Sequence, residues 1–110
     1  MKKKMYISGP ISGIDKLIAF FNFRHASEVV KLAGWTPINP MAMESYELTW
    51  ETYMQIASAI LDSGEIDGIY MLRGWRKSRG ALIERAIANA RKIPVYYQDA
   101  ADRRLWGEDE

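Results

Sequence analysis

The residues best equipped for chemistry stand in the run Ser78-Arg79-Gly80-Ala81-Leu82-Ile83-Glu84. A serine at a helix start presents its hydroxyl together with backbone N–H groups that have no partner within the helix. Gly80, Ala81 and Ala88, four and three residues before Glu84 and four after it, leave space beside the carboxylate, and no cation stands at i+4 to hold it in a surface ion pair. Glu84 is therefore a candidate functional carboxylate pointing into a cavity, with a solvated surface glutamate as the competing account. A second run, Ser8-Gly9-Pro10-Ile11-Ser12-Gly13, offers two hydroxyls, backbone donors and little bulk just ahead of a helix, a setting that suits a phosphate or a sugar hydroxyl. It has neither the Walker lysine nor the G-x-G-x-x-G spacing, and a Gly/Pro turn without a ligand is the simpler account. Arg73, Arg76, Lys77 and Arg79 surround Trp75, a cluster able to bind phosphate or stack a base, or else a solvated basic loop. Tyr6 is either core or places its hydroxyl at the mouth of a site. His25 lies beside an apolar helix stripe with no triad partners in reach, which reads as a surface or partly buried histidine.

Composition removes other chemistries. The 110 residues contain no cysteine and one histidine, so disulfides, thiolate nucleophiles, CxxC redox sites and the common tetrahedral zinc sites are absent, and no HExxH or EF-hand pattern offsets this. No metal and no cofactor is expected. Fifteen Lys and Arg against fourteen Asp and Glu leave a charge of +1, which argues against a nucleic-acid partner. After Met1-Lys2-Lys3-Lys4 only three apolar residues precede Ser8-Gly9-Pro10, too few for a signal peptide or for the ~20 of a membrane span, so a cytoplasmic, non-membrane protein is expected.

The elements that must position these residues follow from periodicity and punctuation. Met5-Tyr6-Ile7 is β-prone and ends in the glycine-rich loop. Asp15 is a plausible N-cap for a helix reaching Ala33, with Ala19, Phe23, Ala26, Val30 and Ala33 on one face and Gly34 as terminator. Trp35 to Ile38 reads as a second strand, stopped by Asn39-Pro40. Met41 to Leu48 reads as an ordered loop or helical turn. Thr49 caps a second helix with Tyr53, Ile56, Ala57, Ile60 and Leu61 in a stripe, ending at Gly64. Ile66 to Leu72 reads as a strand covered on both faces. Ser78 caps a third helix with Leu82, Ile83, Ala86, Ile87 and Ala90 expected to face the core, and Ile93 to Tyr97 gives a fourth strand. The charged tail from 99 to 110 is apolar only at Leu105-Trp106, which would dock on this subunit or a neighbour, leaving residues 1–98 as the domain.

The order β-α-β-α-β-α-β implies an α/β fold, a three-layer sandwich with a four- to five-stranded parallel sheet of Rossmann-like or flavodoxin-like order 2-1-3-4. Ligands in such sheets sit beyond the carboxyl ends of the strands where the order reverses, here between strands 1 and 3, beside the Ser8–Gly13 and Arg73–Ser78 loops.

Tyr6-Ile7-Ser8-Gly9-Pro10-Ile11-Ser12-Gly13, Ile38-Asn39-Pro40, Asp67 to Leu72, and Gly74-Trp75 with Ser78-Arg79-Gly80-Ala81 and Glu84 together resemble the nucleoside 2-deoxyribosyltransferase-like superfamily, in particular a small branch frequent in phage and prophage genomes. The resemblance covers Met5 to about Val95. It implies cleavage or transfer of a nucleoside or nucleotide N-glycosidic bond through a covalent glycosyl-glutamate, with Glu84 as nucleophile, Tyr6 orienting it and Ser78 contacting a 5′-phosphate. The matched positions Ser8, Gly9, Pro10, Ser12, Asn39, Gly74, Trp75, Ser78 and Gly80 are the expected substrate contacts. A small-molecule nucleoside or nucleotide is the implied partner, and a homo-oligomer of at least two copies the implied assembly. Two departures stand out. Where relatives carry an aspartate on the second helix, this chain reads Gln55-Ile56-Ala57-Ser58-Ala59, with Asp62 and Glu65 the nearest substitutes. Where nucleotide-hydrolysing relatives carry an arginine in the first loop, Ser12 stands, leaving Arg76, Lys77 or Arg79 to meet a phosphate. A non-catalytic nucleotide-binding protein of the same fold is the alternative function.

Overall fold

The fold was analysed in a computed structural model that describes residues 2–41, 49–99 and 102–107. Strands β1 (Lys4–Ser8), β2 (Thr36–Ile38), β3 (Gly68–Met71) and β4 (Val95–Tyr97) alternate with helices α1 (Lys16–Leu32), α2 (Trp50–Asp62) and α3 (Arg79–Ala90). All strand pairs are parallel and the order is β2-β1-β3-β4, a Rossmann-like sheet of four strands with α1 on one face and α2 and α3 on the other. The Met41–Leu48 turn expected from the sequence lies, beyond Met41, outside the described residues.

Strand alternation divides the core. Met5, Ile7, Tyr70 and Leu72 pack with Ala19, Phe23, Ala26 and Val30 of α1. Tyr6, Ile69 and Met71 point the other way and pack with Ala57, Leu61, Ala81 and Ala88 of α2 and α3. β1 and β3 are buried on both faces, which explains why they are apolar almost throughout. Helix starts follow their capping residues: Asp15 accepts from the N–H groups of Leu17 and Ile18 at 2.9 and 3.2 Å, Thr49 from Thr52 at 3.1 Å and Ser78 from Ala81 at 3.2 Å.

The inward face of α3 departs from the expected stripe. Ala81, Glu84 and Ala88 are buried, Ile83 and Ile87 are half-buried, and Leu82, Ala86 and Ala90 are exposed. Bulky apolar residues dominated the periodic signal, but the small side chains at 81 and 88 let the helix lie close to the sheet, and the carboxylate at 84 turns inward between them. On α2 the buried set is Met54, Ala57 and Leu61, with Tyr53 and Ile60 half-buried against the same cluster. In the tail, Leu105 docks on its own chain: it is buried in the α1-side core, and the Trp35 indole N–H donates to its carbonyl at 2.8 Å.

Candidate functional site

Tyr6 and Ser8, two residues apart on β1, project to the α3 side of the sheet, and Glu84 projects from α3 to meet them. The Tyr6 hydroxyl donates to Glu84 Oε2 at 2.6 Å and the Ser8 hydroxyl to Oε1 at 2.7 Å. Tyr6 and Ser8 are fully buried and Glu84 is 2 % exposed. Each carboxylate oxygen thus accepts one hydrogen bond and keeps a second lone pair for another partner. Burial pushes the Glu84 carboxyl up to about 7, against the two hydroxyl hydrogen bonds, which favour the charged form. Burial and the neighbouring Glu84 raise the Tyr6 hydroxyl well above its ordinary value, so it stays protonated and remains a donor.

Glu84 lines a cavity of about 420 Å³ at the carboxyl ends of β1 and β3, within the usual size range for small-molecule sites. Its other walls are the loop residues Gly9, Ile11, Ser12 and Gly13, the first turns of α2 at Trp50, Tyr53 and Met54, and the segment Lys77 to Ala81. The backbone comes close to its neighbours at two of these places. A Cβ at Gly9 would stand 2.7 Å from that of Leu72, where the loop crosses the end of β3, and one at Gly80 would stand 3.3 Å from Met54 Sδ, where α3 approaches α2.

Charge and aromatic surface divide the walls. Lys77 and Arg79 stand at the cavity beside Ser78 and the first-turn N–H groups of α3, a combination that favours an anion. The Arg79 guanidinium lies 4.4 Å from the centre of the Trp50 ring. Opposite them, Tyr53 is close enough to Tyr6 for their hydroxyls to hydrogen-bond.

The structure therefore brings together Glu84, Tyr6, Ser8, Gly9, Ser12, Ser78 and Gly80. Ser8 touches the carboxylate from behind the cavity wall, which makes it a positioning residue. Pro10, Asn39, Gly74 and Trp75 fall outside the lining. Gly74, at φ +85°, packs toward Pro10, and the Asn39 side chain accepts from the Met41 N–H at 2.9 Å, closing a local turn. Trp75 is buried in the core, its ring covered by Arg76 at 4.5 Å and Arg85 at 4.8 Å, so the basic cluster around it is dispersed. Arg73 pairs with Asp99 at 3.2 Å, away from the lining. His25 is exposed and stacks on Phe21.

Asp62 and Glu65 do not reach the cavity; they pair with Arg91 at 2.7 Å and Lys4 at 3.1 Å. The α2 wall instead presents Trp50 and Tyr53. The sequence pattern misses both, since it places Tyr53 in the core stripe and gives Trp50 no role. Among the described residues no group of three or more His, Asp or Glu is placed to hold a metal ion, and no helix is long and apolar enough to cross a membrane. A larger, shallower hollow of about 590 Å³ is lined by Lys2, Lys3, Trp35, Tyr96, Arg104 and Trp106 among others, with no carboxylate or histidine among its described lining residues.

No curated protein matches the chain. A family model described as Domain of unknown function (DUF4406) matches residues 3–97, a span that runs from the start of β1 through the end of β4 and takes in every residue of the cavity, and the chain belongs to that family.

Proposed function

We propose that this protein cleaves or transfers the N-glycosidic bond of a deoxynucleoside or its 5′-monophosphate, with Glu84 as the nucleophile. The observation that carries this reading is the carboxylate at the cavity wall, each oxygen held by one buried hydroxyl and each with a lone pair left. A carboxylate so fixed has lost its rotational freedom before substrate arrives, which is what attack on a single carbon requires. A Glu84 oxygen bonds to C1′ as the C1′–N bond breaks, and the base departs with the bonding electrons and takes up a proton. Water or a second base then attacks C1′ and releases the carboxylate, restoring the starting state. The transition state is oxocarbenium-like, so the charge on Glu84 stabilises it as well as forming the bond.

The choice of substrate class rests on the walls. A flat aromatic ring fits against Trp50 and Tyr53, and Lys77, Arg79, Ser78 and the α3 N-terminus suit a 5′-phosphate. Among the described residues Glu84 is the one carboxylate in the lining. A nucleobase leaves as a delocalised anion or neutral species and depends less on a second carboxylic acid than a sugar alkoxide does. Assembly into a homo-oligomer belongs to the same proposal.

The test is chromatographic detection of free base after incubation with deoxynucleosides and their 5′-monophosphates, with and without an acceptor base. Wild type should release base, and Glu84→Gln should lose roughly a thousandfold or more in rate, about 4 kcal/mol of transition-state stabilisation. Equal rates in the two proteins would refute the role given to Glu84.

A second reading, a pocket that binds a nucleotide without reacting, is favoured by one observation: the α2 wall of the cavity presents Trp50, Tyr53 and Met54 and no carboxylate. It is supported by ligand-dependent thermal stabilisation, growing as RT ln(1 + [L]/Kd), without product. Absence of a shift across a nucleotide panel would count against it.

A further inference from the structure

Two demands that the cavity places on a ligand meet in one pair of side chains. Trp50 opens α2 and Arg79 opens α3, both line the cavity, and the Arg79 guanidinium lies 4.4 Å from the centre of the Trp50 ring. Gly80 lets the two helix starts approach, since even a Cβ there would stand 3.7 Å from the indole nitrogen. Trp50 is half-buried and Arg79 is exposed. Among the described residues no carboxylate pairs with Arg79, so the indole face is its resting partner and its N–H donors are left for another group. Lys77 stands in the same wall and, among the described residues, lies over no ring.

We infer that Arg79 is a specificity-determining residue that makes ring binding depend on phosphate. It covers the face of Trp50 on which a base would stack, and a 5′-phosphate draws it off and opens that face. This rests on the reading of the cavity as a nucleoside or nucleotide site and adds which of the two it takes. A guanidinium and a base cannot share one face of one ring, so one must leave before the other stacks. A guanidinium on a water-exposed indole is held weakly, whereas on a phosphate it makes parallel charge-assisted hydrogen bonds, so trading the first contact for the second is downhill. The destination is close at hand, because Ser78 and the first-turn N–H groups of α3 stand beside Arg79 in the cavity wall. A ligand with a base and no phosphate must push Arg79 into water and gets nothing back for it. A ligand with both supplies the group that moves Arg79 aside. The site thus favours a 5′-monophosphate twice, once by direct contact and once by uncovering Trp50.

The test is calorimetry with the common deoxynucleosides and their 5′-monophosphates, in Glu84→Gln protein so that no ligand is consumed, and again in wild type. Arg79→Ala should bind the deoxynucleosides about two- to fivefold more tightly, the strength of an exposed cation–π contact read as affinity, and the monophosphates roughly tenfold more weakly. The substitution falls at an exposed helix position where alanine is well tolerated, so folding is retained. Lys77→Ala removes a cation and uncovers no ring, so it should weaken the monophosphates and leave the deoxynucleosides unchanged. In a Trp50→Leu background the deoxynucleoside gain from Arg79→Ala should vanish. Deoxynucleoside affinity that Arg79→Ala lowers or leaves alone overturns the inference. So does a gain that persists without Trp50, and so does failure of every ligand in the panel to bind. Base release, measured separately, tells this failure from failure of the proposed chemistry. Glu84-dependent release with no opposite shift of the two ligand classes refutes the role of Arg79 alone, and the opposite shift without release refutes the chemistry alone.

Discussion

Burial and hydrogen bonding pull Glu84 in opposite directions, and the balance can be read as a function of pH. With its folded-state pKa near 7 and an ordinary value near 4.5, the native protein holds this proton more tightly than the unfolded chain does. The associated stability is therefore full below about pH 4.5, falls as pH rises through 7, and is flat above, a change of about 3 kcal/mol across the window. Urea unfolding at pH 5 and pH 8 should show this loss in wild type and lack it in Glu84→Gln. If Glu84 is the nucleophile, kcat/KM moves the other way, rising about tenfold per pH unit below 7 and levelling above, because only the carboxylate attacks.

The elements meet the site through two glycines that differ in what a methyl group would strike. At Gly9 the obstacle is the Leu72 Cβ, fixed to its backbone, so Gly9→Ala should cost about 1 to 3 kcal/mol as the loop is pushed off β3. At Gly80 the nearest obstacle is the mobile Met54 sulfur, and a helix gains up to ~1 kcal/mol when alanine replaces glycine, so Gly80→Ala should leave the unfolding midpoint nearly unchanged. Its methyl group still enters the cavity wall, so it should weaken ligand binding at constant stability, which calorimetry and a denaturation curve separate. These element boundaries were legible because caps and breakers act locally: Asp15, Thr49 and Ser78 start their helices by bonding N–H groups two or three residues on. The rotation of α3 was not legible. It depends on which side chains the sheet admits closely, and Ala81 and Ala88 carry too little hydrophobicity to show in a periodic pattern.

Across the whole molecule, residues beyond β4 return to complete the α1-side core. Leu105→Ala should lower stability by about 2 to 5 kcal/mol, by urea unfolding, since it empties a space among Trp35, Tyr96 and α1 and loosens the indole N–H bond to its carbonyl. A mainly charged segment hides such an anchor, and whether its two apolar residues dock at home or abroad is a question of distance in three dimensions. The location of the cavity was readable in advance because the βαβ order dictates where strand direction diverges. Its aromatic wall was not, because Trp50 and Tyr53 face it across a gap between helices that no spacing along the chain records. β1 joins these scales, with Tyr6 and Ser8 on one side and Met5 and Ile7 on the other. A strand built in this way is vulnerable to changes in length more than to changes in letter. Deleting one residue within it would carry both hydroxyls to the greasy underside of α1 and bring hydrocarbon against the glutamate, so in any lineage of this chain β1 should drift by substitution and almost never by insertion or loss.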